Sequence, residues 1–282
     1  MRERVRMADQ AAGLRRLLRP AALRILPVAG GRDGAQRTNV IVNLAAAAAL
    51  DGYCVVVLDQ SKGEVARAMG LKPRYELIHL LEGQMQFPEV AVDGPDGVRV
   101  LSGARGMAAL AGQGGHAQAL FAAFAQLERP ADLVIVNIDD PALAGALLPA
   151  TDGEVLLVAT PAAESITGAY THIKQLAKHC GLTRYRLLVG DVQAAGDPRA
   201  VAENMAAAAR RFLSARLTYG GCVPRDPNMR HAERARSSVV RSAPQSSAAL
   251  AFRRIAADIP AWISFEIRGS RPEGSPGRAA AH

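Results

Sequence analysis

The sequence predicts an α/β fold, a single domain whose mostly parallel central sheet is covered by helices on both faces. Two observations predict it. First, short and fully apolar runs alternate with helical patterns along most of the chain. Strands buried on both faces read as continuous apolar stretches of this kind, not as alternating ones. Second, the run at residues 23–29 passes through Gly30-Gly31-Arg32-Asp33-Gly34-Ala35-Gln36-Arg37-Thr38 into a helical pattern over 39–50. Strand, Gly-rich turn and helix N-terminus form the address of a phosphate-binding loop, where bare backbone N–H groups and the helix dipole face an anion.

The elements follow in order. Residues 1–20 form a separate arm: Asp9 can cap a short helix carrying Ala11, Leu14, Leu17 and Leu18 at helical spacing, and Pro20 ends it. The β-α-β pattern then opens at 23–29 and 39–50, and a second strand over 53–58 ends at Asp59. Helical patterns at 65–69 and 76–82 precede a turn at 94–97 and a short strand at 98–101. A helix over 117–127 leads to a strand at 132–138. Three further strands are expected at 154–159, 185–189 and 218–223, with helices over 164–180 and 198–217 between them. The α/β domain spans 21–241. Residues 242–268 form a C-terminal amphipathic region, with Phe252, Ile255, Ala256 and Ile259 on one helical face and Arg253 and Arg254 beside it. The tail 269–282, rich in Gly, Pro, Ser, Arg and Ala, is expected to be disordered.

Ligands of open parallel sheets bind beyond the strand C-termini. That rule gathers residues 32–38, Asp59, Asn137, Thr160 and Gly190 into one candidate site.

Composition narrows the classes. Hydrophobic residues make up 49% of the 282 positions but aromatics only 4%, so the core must be aliphatic and Ala-rich. The net charge of +8 favours anionic partners, although an Arg-rich composition bias explains much of it equally well. Cys54, Cys180 and Cys222 are too few and too far apart for a disulfide framework or a metal-ligand pattern. No apolar run reaches the ~20 residues of a membrane span, and no secretory leader pattern is present, so a cytoplasmic protein is expected. No groove-reading motif is present, and DNA is not an expected partner.

Several segments together carry a family resemblance. They are Asp9-Gln10-Ala11-Ala12-Gly13-Leu14-Arg15; Thr38-Asn39-Val40 running into Val42-Asn43-Leu44; Gly70-Leu71-Lys72-Pro73-Arg74-Tyr75; Thr160-Pro161 with Ala169-Tyr170; and Val223-Pro224-Arg225-Asp226-Pro227. In this order the chain resembles the MinD/ParA class of deviant P-loop ATPases over roughly residues 9–259. More narrowly, it resembles the FlhG/FleN regulators of flagellar number and placement. The resemblance implies that the arm stimulates FlhF, a signal-recognition-type GTPase. Asp9 opens the matching motif, Gln10 helps order the partner's catalytic site, Leu14 and Leu17 anchor the arm, and Arg15 pairs with acidic or phosphate groups.

Departures from the family pattern fall at the nucleotide chemistry. Arg32 replaces the signature lysine, Asp33 and Gln36 replace glycines, and Arg37 replaces the loop lysine, while Gly34 and Thr38 remain. Asp59 matches the first aspartate of the next motif, but the water-positioning one falls at Ser61. Asn137 stands where the magnesium-site aspartate belongs, and Gly190 where a base-reading asparagine does. Catalysis of phosphoryl transfer is mostly positioning plus electrostatics, so these losses compound. The expectation is a regulator acting by protein binding on a pseudo-ATPase scaffold, with no catalytic residue, no metal and no cofactor. Arg32, Asp33, Gly34, Gln36, Arg37, Thr38, Asp59 and Asn137 are then its vestigial nucleotide set. The alternative is an active switch that takes ATP with Mg²⁺, dimerises on it and binds membrane. Expected partners are an FlhF-type GTPase and flagellar basal-body or transcription proteins. Phe252, Arg253, Arg254, Ile255 and Ile259 offer a peripheral lipid contact, for which the competing reading is a helix that closes the domain. Whether the chain forms a homodimer stays open.

Overall fold

The computed structural model describes residues 22–30, 34–113, 120, 124, 130–148, 153–262 and 265–268. The arm at 1–20, Arg32, Asp33, the tail and most of the helix expected over 117–127 lie outside the described residues.

The first half of the domain runs β1 (Ala22–Gly30), α1 (Gly34–Leu50), β2 (Val55–Asp59), α2 (Glu64–Ala68), α3 (Leu77–Leu81), α4 (Phe87–Val90), β3 (Val92–Asp93), β4 (Arg99–Ser102), α5 (Ala104–Gln113) and β5 (Leu133–Asn137). The second half runs β6 (Val155–Ala159), α6 (Ala163–Cys180), β7 (Arg184–Val192), α7 (Pro198–Leu213), β8 (Arg216–Pro224), α8 (Pro227–Arg234), α9 (Val239–Ser242), α10 (Ser247–Asp258) and β9 (Phe265–Arg268). The sheet order is β3-β4-β2-β5-β1-β6-β7-β8. Pairings from β4 to β8 are parallel, while β3 joins β4 and β9 joins β1 antiparallel. Strands β2, β5 and β6 are buried at every position. Their apolar runs are continuous because each face of the sheet meets its own cluster of buried side chains.

α1 begins at Gly34, a full turn before the expected start at 39. Arg37 and Thr38 therefore belong to its first turn and are buried. Register matters equally: Asp59 and Asn137 are direct partners at the C-terminal ends of β2 and β5, so neighbouring strand ends hold their side chains together.

Of residues 242–268, set apart in the sequence reading, the described ones pack or pair with the preceding elements. The apolar face of α10 packs on α1 and β8, with Phe252 only 1% exposed and Ile255 and Ile259 also buried. Of the residues offered for a lipid contact, Phe252, Ile255 and Ile259 are turned into the core, which favours the competing reading of a helix that closes the domain. Each buried apolar side chain contributes about 1.5–3 kcal/mol, and here that contribution closes the domain. β9, which the sequence pattern did not suggest, then pairs Ile267 with Leu23 and Phe265 with Ile25.

One helix crossing depends on a glycine. A Cβ at Gly106 in α5 would lie 2.5 Å from Leu77 Cγ and 2.9 Å from the Ile78 backbone nitrogen in α3. Gly106→Ala is expected to destabilise by about 2 kcal/mol, with overpacking outweighing the ~1 kcal/mol helix-propensity gain. Urea unfolding checks this, and an unchanged midpoint would mean that α3 shifts freely.

Candidate functional site

The first turn of α1 and the ends of β2 and β5 converge on one buried polar network. Arg37, 2% exposed, turns away from the helix N-terminus toward β5. Its Nε donates to Asn137 Oδ1 at 2.6 Å, and its guanidinium forms an ion pair with Asp139. Asn137 Nδ2 donates in turn to Asp59 Oδ1 at 2.7 Å. Asp59 is fully buried and also accepts from Ser61 N (3.0 Å), Ser61 Oγ (2.6 Å) and Val65 N (3.1 Å). Ser61 Oγ accepts from Glu64 N at 3.0 Å, which starts α2.

The network reaches the loop from two further sides. Thr38 Oγ1 donates to Glu64 Oε2 at 3.4 Å, and the same carboxylate oxygen lies 2.9 Å from where a Cβ on Gly34 would stand. A carboxylate therefore faces the α1 N-terminus where an anion would approach. On the other side, the Gly30 N–H donates to His172 Nδ1 at 3.3 Å. Burial, followed by the nearby Arg37 charge, lowers the His172 pKa to about 4 against the opposing pull of Asp139 and Asp140. His172 is accordingly a neutral acceptor near pH 7. Gln60 locks the loop after β5: its Oε1 accepts from Asp139 N (2.7 Å) and Asp140 N (2.9 Å).

These donors and acceptors do not fit a metal–triphosphate group. Two carboxylate oxygens offer about four lone-pair sites, and Asp59 already accepts four hydrogen bonds. The Thr38 hydroxyl is committed to Glu64, and the Arg37 charge to Asp139. Among the described residues, no group of three or more His, Cys, Asp or Glu side chains could hold a metal ion.

A cleft of about 380 Å³ lies beside this network, between α1 and the ends of β7 and β8. Gln36 and Gly190 face each other across it, a Cβ on Gly190 falling 3.0 Å from Gln36 Oε1. Arg225 forms a two-point ion pair with Asp191 on its rim, at 2.8 and 2.6 Å.

The structure thus brings together Gly34, Arg37, Thr38, Asp59 and Asn137 as expected, places Gln36 at the neighbouring cleft, and leaves Asp9, Gln10, Leu14, Arg15, Leu17, Arg32 and Asp33 outside the described residues. Sequence reasoning missed Glu64, Gln60 and His172. Glu64 follows a left-handed Gly63, a local sign of a helix start. His172 has no such signal, because it arrives from mid-α6, 142 residues beyond its partner.

No family model matches the chain. The antiactivator FleN of Pseudomonas aeruginosa is 32% identical over 247 residues, covering 85% of this chain and 87% of FleN. The chain is a FlhG/FleN-type member of the MinD/ParA family. Solved structures agree on the fold. MinD of Aquifex aeolicus superposes with a TM-score of 0.64 at 17% identity, covering 88% of this chain and 100% of that one. MinD of Pyrococcus furiosus gives 0.62 at 20%, covering 84% and 98%. A ParA family ATPase of Chlorobium tepidum gives 0.62 at 17%, covering 85% and 100%.

Two motifs of this FleN-type chain have clear structural roles. Gly70 ends α2 in the left-handed conformation (φ 74°), and Leu71 N then donates back to Ala66 O at 2.8 Å. Asp226 of the Val223–Pro227 element caps α8.

Proposed function

We propose that this chain regulates flagellar number or placement by binding proteins, on a domain that does not hydrolyse ATP. The inward-turned Arg37 carries this reading. A cation that closes an internal network with Asn137, Asp59 and Asp139 is committed inward and not toward a phosphate. The similarity to FleN, an antiactivator by name, supports the flagellar assignment and suggests a transcriptional activator as one partner class. The residues 9–15 motif suggests an FlhF-type GTPase as the other, with Gln10 acting on that partner's site. A cytoplasmic protein is in keeping with the finding that, among the described residues, no helix is long and apolar enough to cross a membrane.

Thermal unfolding of the full chain with and without Mg-ATP tests the scaffold reading. Ligand at about 1,000 times its Kd stabilises by about 4 kcal/mol, which in a domain of this size raises Tm by about 10 °C. Millimolar Mg-ATP is expected to leave Tm unchanged here. Arg37→Lys is expected to release no phosphate either, because Asp59 and Glu64 stay as they are. A rise of several degrees followed by phosphate release would establish the active switch instead. The arm is tested separately, by GTP turnover of an FlhF-type GTPase with the full chain. Stimulation that Gln10→Ala abolishes is expected, and turnover indifferent to the chain would remove the arm from the reading.

A further inference from the structure

At the end of the sheet opposite the nucleotide-type network, the chain has a second concave feature. α7 ends at Leu213, Ser214 takes the left-handed conformation (φ 50°), and Arg216 opens β8. A cavity of about 400 Å³ lies in this corner, with Ala206, Ala215 and Leu217 as its apolar floor and Arg210 and Arg216 on its rim. Phe212, on another face of α7, is 66% exposed, and the Arg211 guanidinium stacks 5.2 Å from its ring centroid.

The charges are unbalanced. Arg210, Arg211 and Arg216 are exposed, and among the described residues none has a carboxylate partner. Glu203 lies about two turns earlier on α7, and Asp197 caps the far end of that helix. Cations in a last helical turn are favoured by the helix dipole, which accounts for Arg210 and Arg211. It does not account for Arg216 on the next strand or for the apolar residues between them.

We propose that this corner docks an acidic peptide segment of a partner protein that carries an apolar anchor side chain. The anchor enters the cavity against Ala206 and Leu217, and flanking carboxylates pair with Arg210 and Arg216. A recessed apolar pocket with a charged rim is the anatomy of a binding hot spot, and charge complementarity selects the acidic partner. The chain's own termini do not fit. Residues 1–21 carry six arginines against Glu3 and Asp9, and residues 269–282 carry Arg271 and Arg278 against Glu273. A second copy is disfavoured by the same net charge of +8. A bilayer would reach the protruding Phe212 but not the cavity's apolar lining, where Ala215 and Leu217 are buried, so vesicles serve as the competing outcome in the test.

The test titrates the full chain into a fluorescein-labelled peptide of glutamate and leucine, a glutamate-only peptide, a lysine–leucine peptide, and phosphatidylcholine vesicles containing phosphatidylglycerol. The glutamate–leucine peptide is expected to bind saturably, the glutamate-only peptide at least about tenfold more weakly. Arg210→Glu with Arg216→Glu is expected to lose the acidic peptide by about tenfold or more and to gain the lysine–leucine one, as a charge-swapped rim requires. Circular dichroism melting checks that this variant folds; if it does not, the single Arg210→Gln is read for the same loss. Equal binding of both acidic peptides, indifference to the rim substitutions, or Arg210-dependent binding to vesicles without peptide binding would each overturn the proposal.

Discussion

Arg37→Ala is expected to destabilise the chain by about 3 kcal/mol, although it removes a positive charge from a protein that already has an excess. Breaking a buried pair costs about 3–5 kcal/mol because the remaining charge is left uncompensated. The Asp139 carboxylate is 49% exposed, so solvent screens its loss and lowers the figure. The deeper cost falls on Asn137 and Asp59, both fully buried. Without the guanidinium, Asn137 Oδ1 has lost its 2.6 Å donor, and the fully buried Asp59 has lost its cation one bond away. Arg37→Ala with Asp139→Asn is expected to cost less than the sum of the two single changes, since neutralising both members of the ion pair leaves no stranded charge there. Urea unfolding of the single and double variants measures this coupling. A loss below about 0.5 kcal/mol for Arg37→Ala would be the behaviour of an ordinary surface side chain, and would mean that the guanidinium does not hold the network.

This network shows how far the sequence could be read. Buried strands announce themselves through continuous apolar runs, so β1, β2, β5, β6, β7 and β8 were legible to within a few residues. Once those strands are parallel neighbours, Asp59 and Asn137 must meet, because both close their strands at the same level. The direction of Arg37 was not legible. Its residue type is the same whether it reaches out to an anion or in to Asp139, and the choice depends on side chains 100 and 102 residues away. His172 was invisible for the same reason, since helical periodicity gives a residue's face but not the loop which that face meets. α10 shows the complementary limit. Its apolar stripe flanked by Arg253 and Arg254 reads alike for a lipid surface and for a domain core, and only the packing on α1 and β8 separates them.

The largest effect outside that network is expected at Asp226, whose place in a Val-Pro-x-Asp-Pro element gave its position but not its reach. One buried carboxylate serves two helix starts. It accepts from Asn228 N and Asn228 Nδ2 at 2.9 Å in α8, and from Ser247 Oγ and Ala248 N at 3.0 Å in α10. Asp226→Ala would strand these donors together and is expected to cost about 3 kcal/mol, more than a single lost helix cap. The charge itself can be isolated through pH. Burial pushes the Asp226 carboxyl up, but the hydrogen bonds from Ala248, Asn228 and Ser247 outweigh it and hold the pKa at about 2, below the usual 3.8. A carboxylate lowered in the folded state stabilises above its unfolded pKa and loses that contribution as pH falls through the folded one. Asp226→Asn, which keeps an acceptor but removes the charge, is therefore expected to cost on the order of 1–2 kcal/mol near pH 7 after solvent screening. That deficit against the unsubstituted chain should shrink steadily between pH 4 and pH 2 as the carboxylate protonates. Urea unfolding midpoints of both chains across this range give the comparison. A deficit that stays constant with pH would assign the stabilisation to the shape of the side chain and not to its charge. α8 and α10 would then be joined at Asp226 by neutral hydrogen bonds alone.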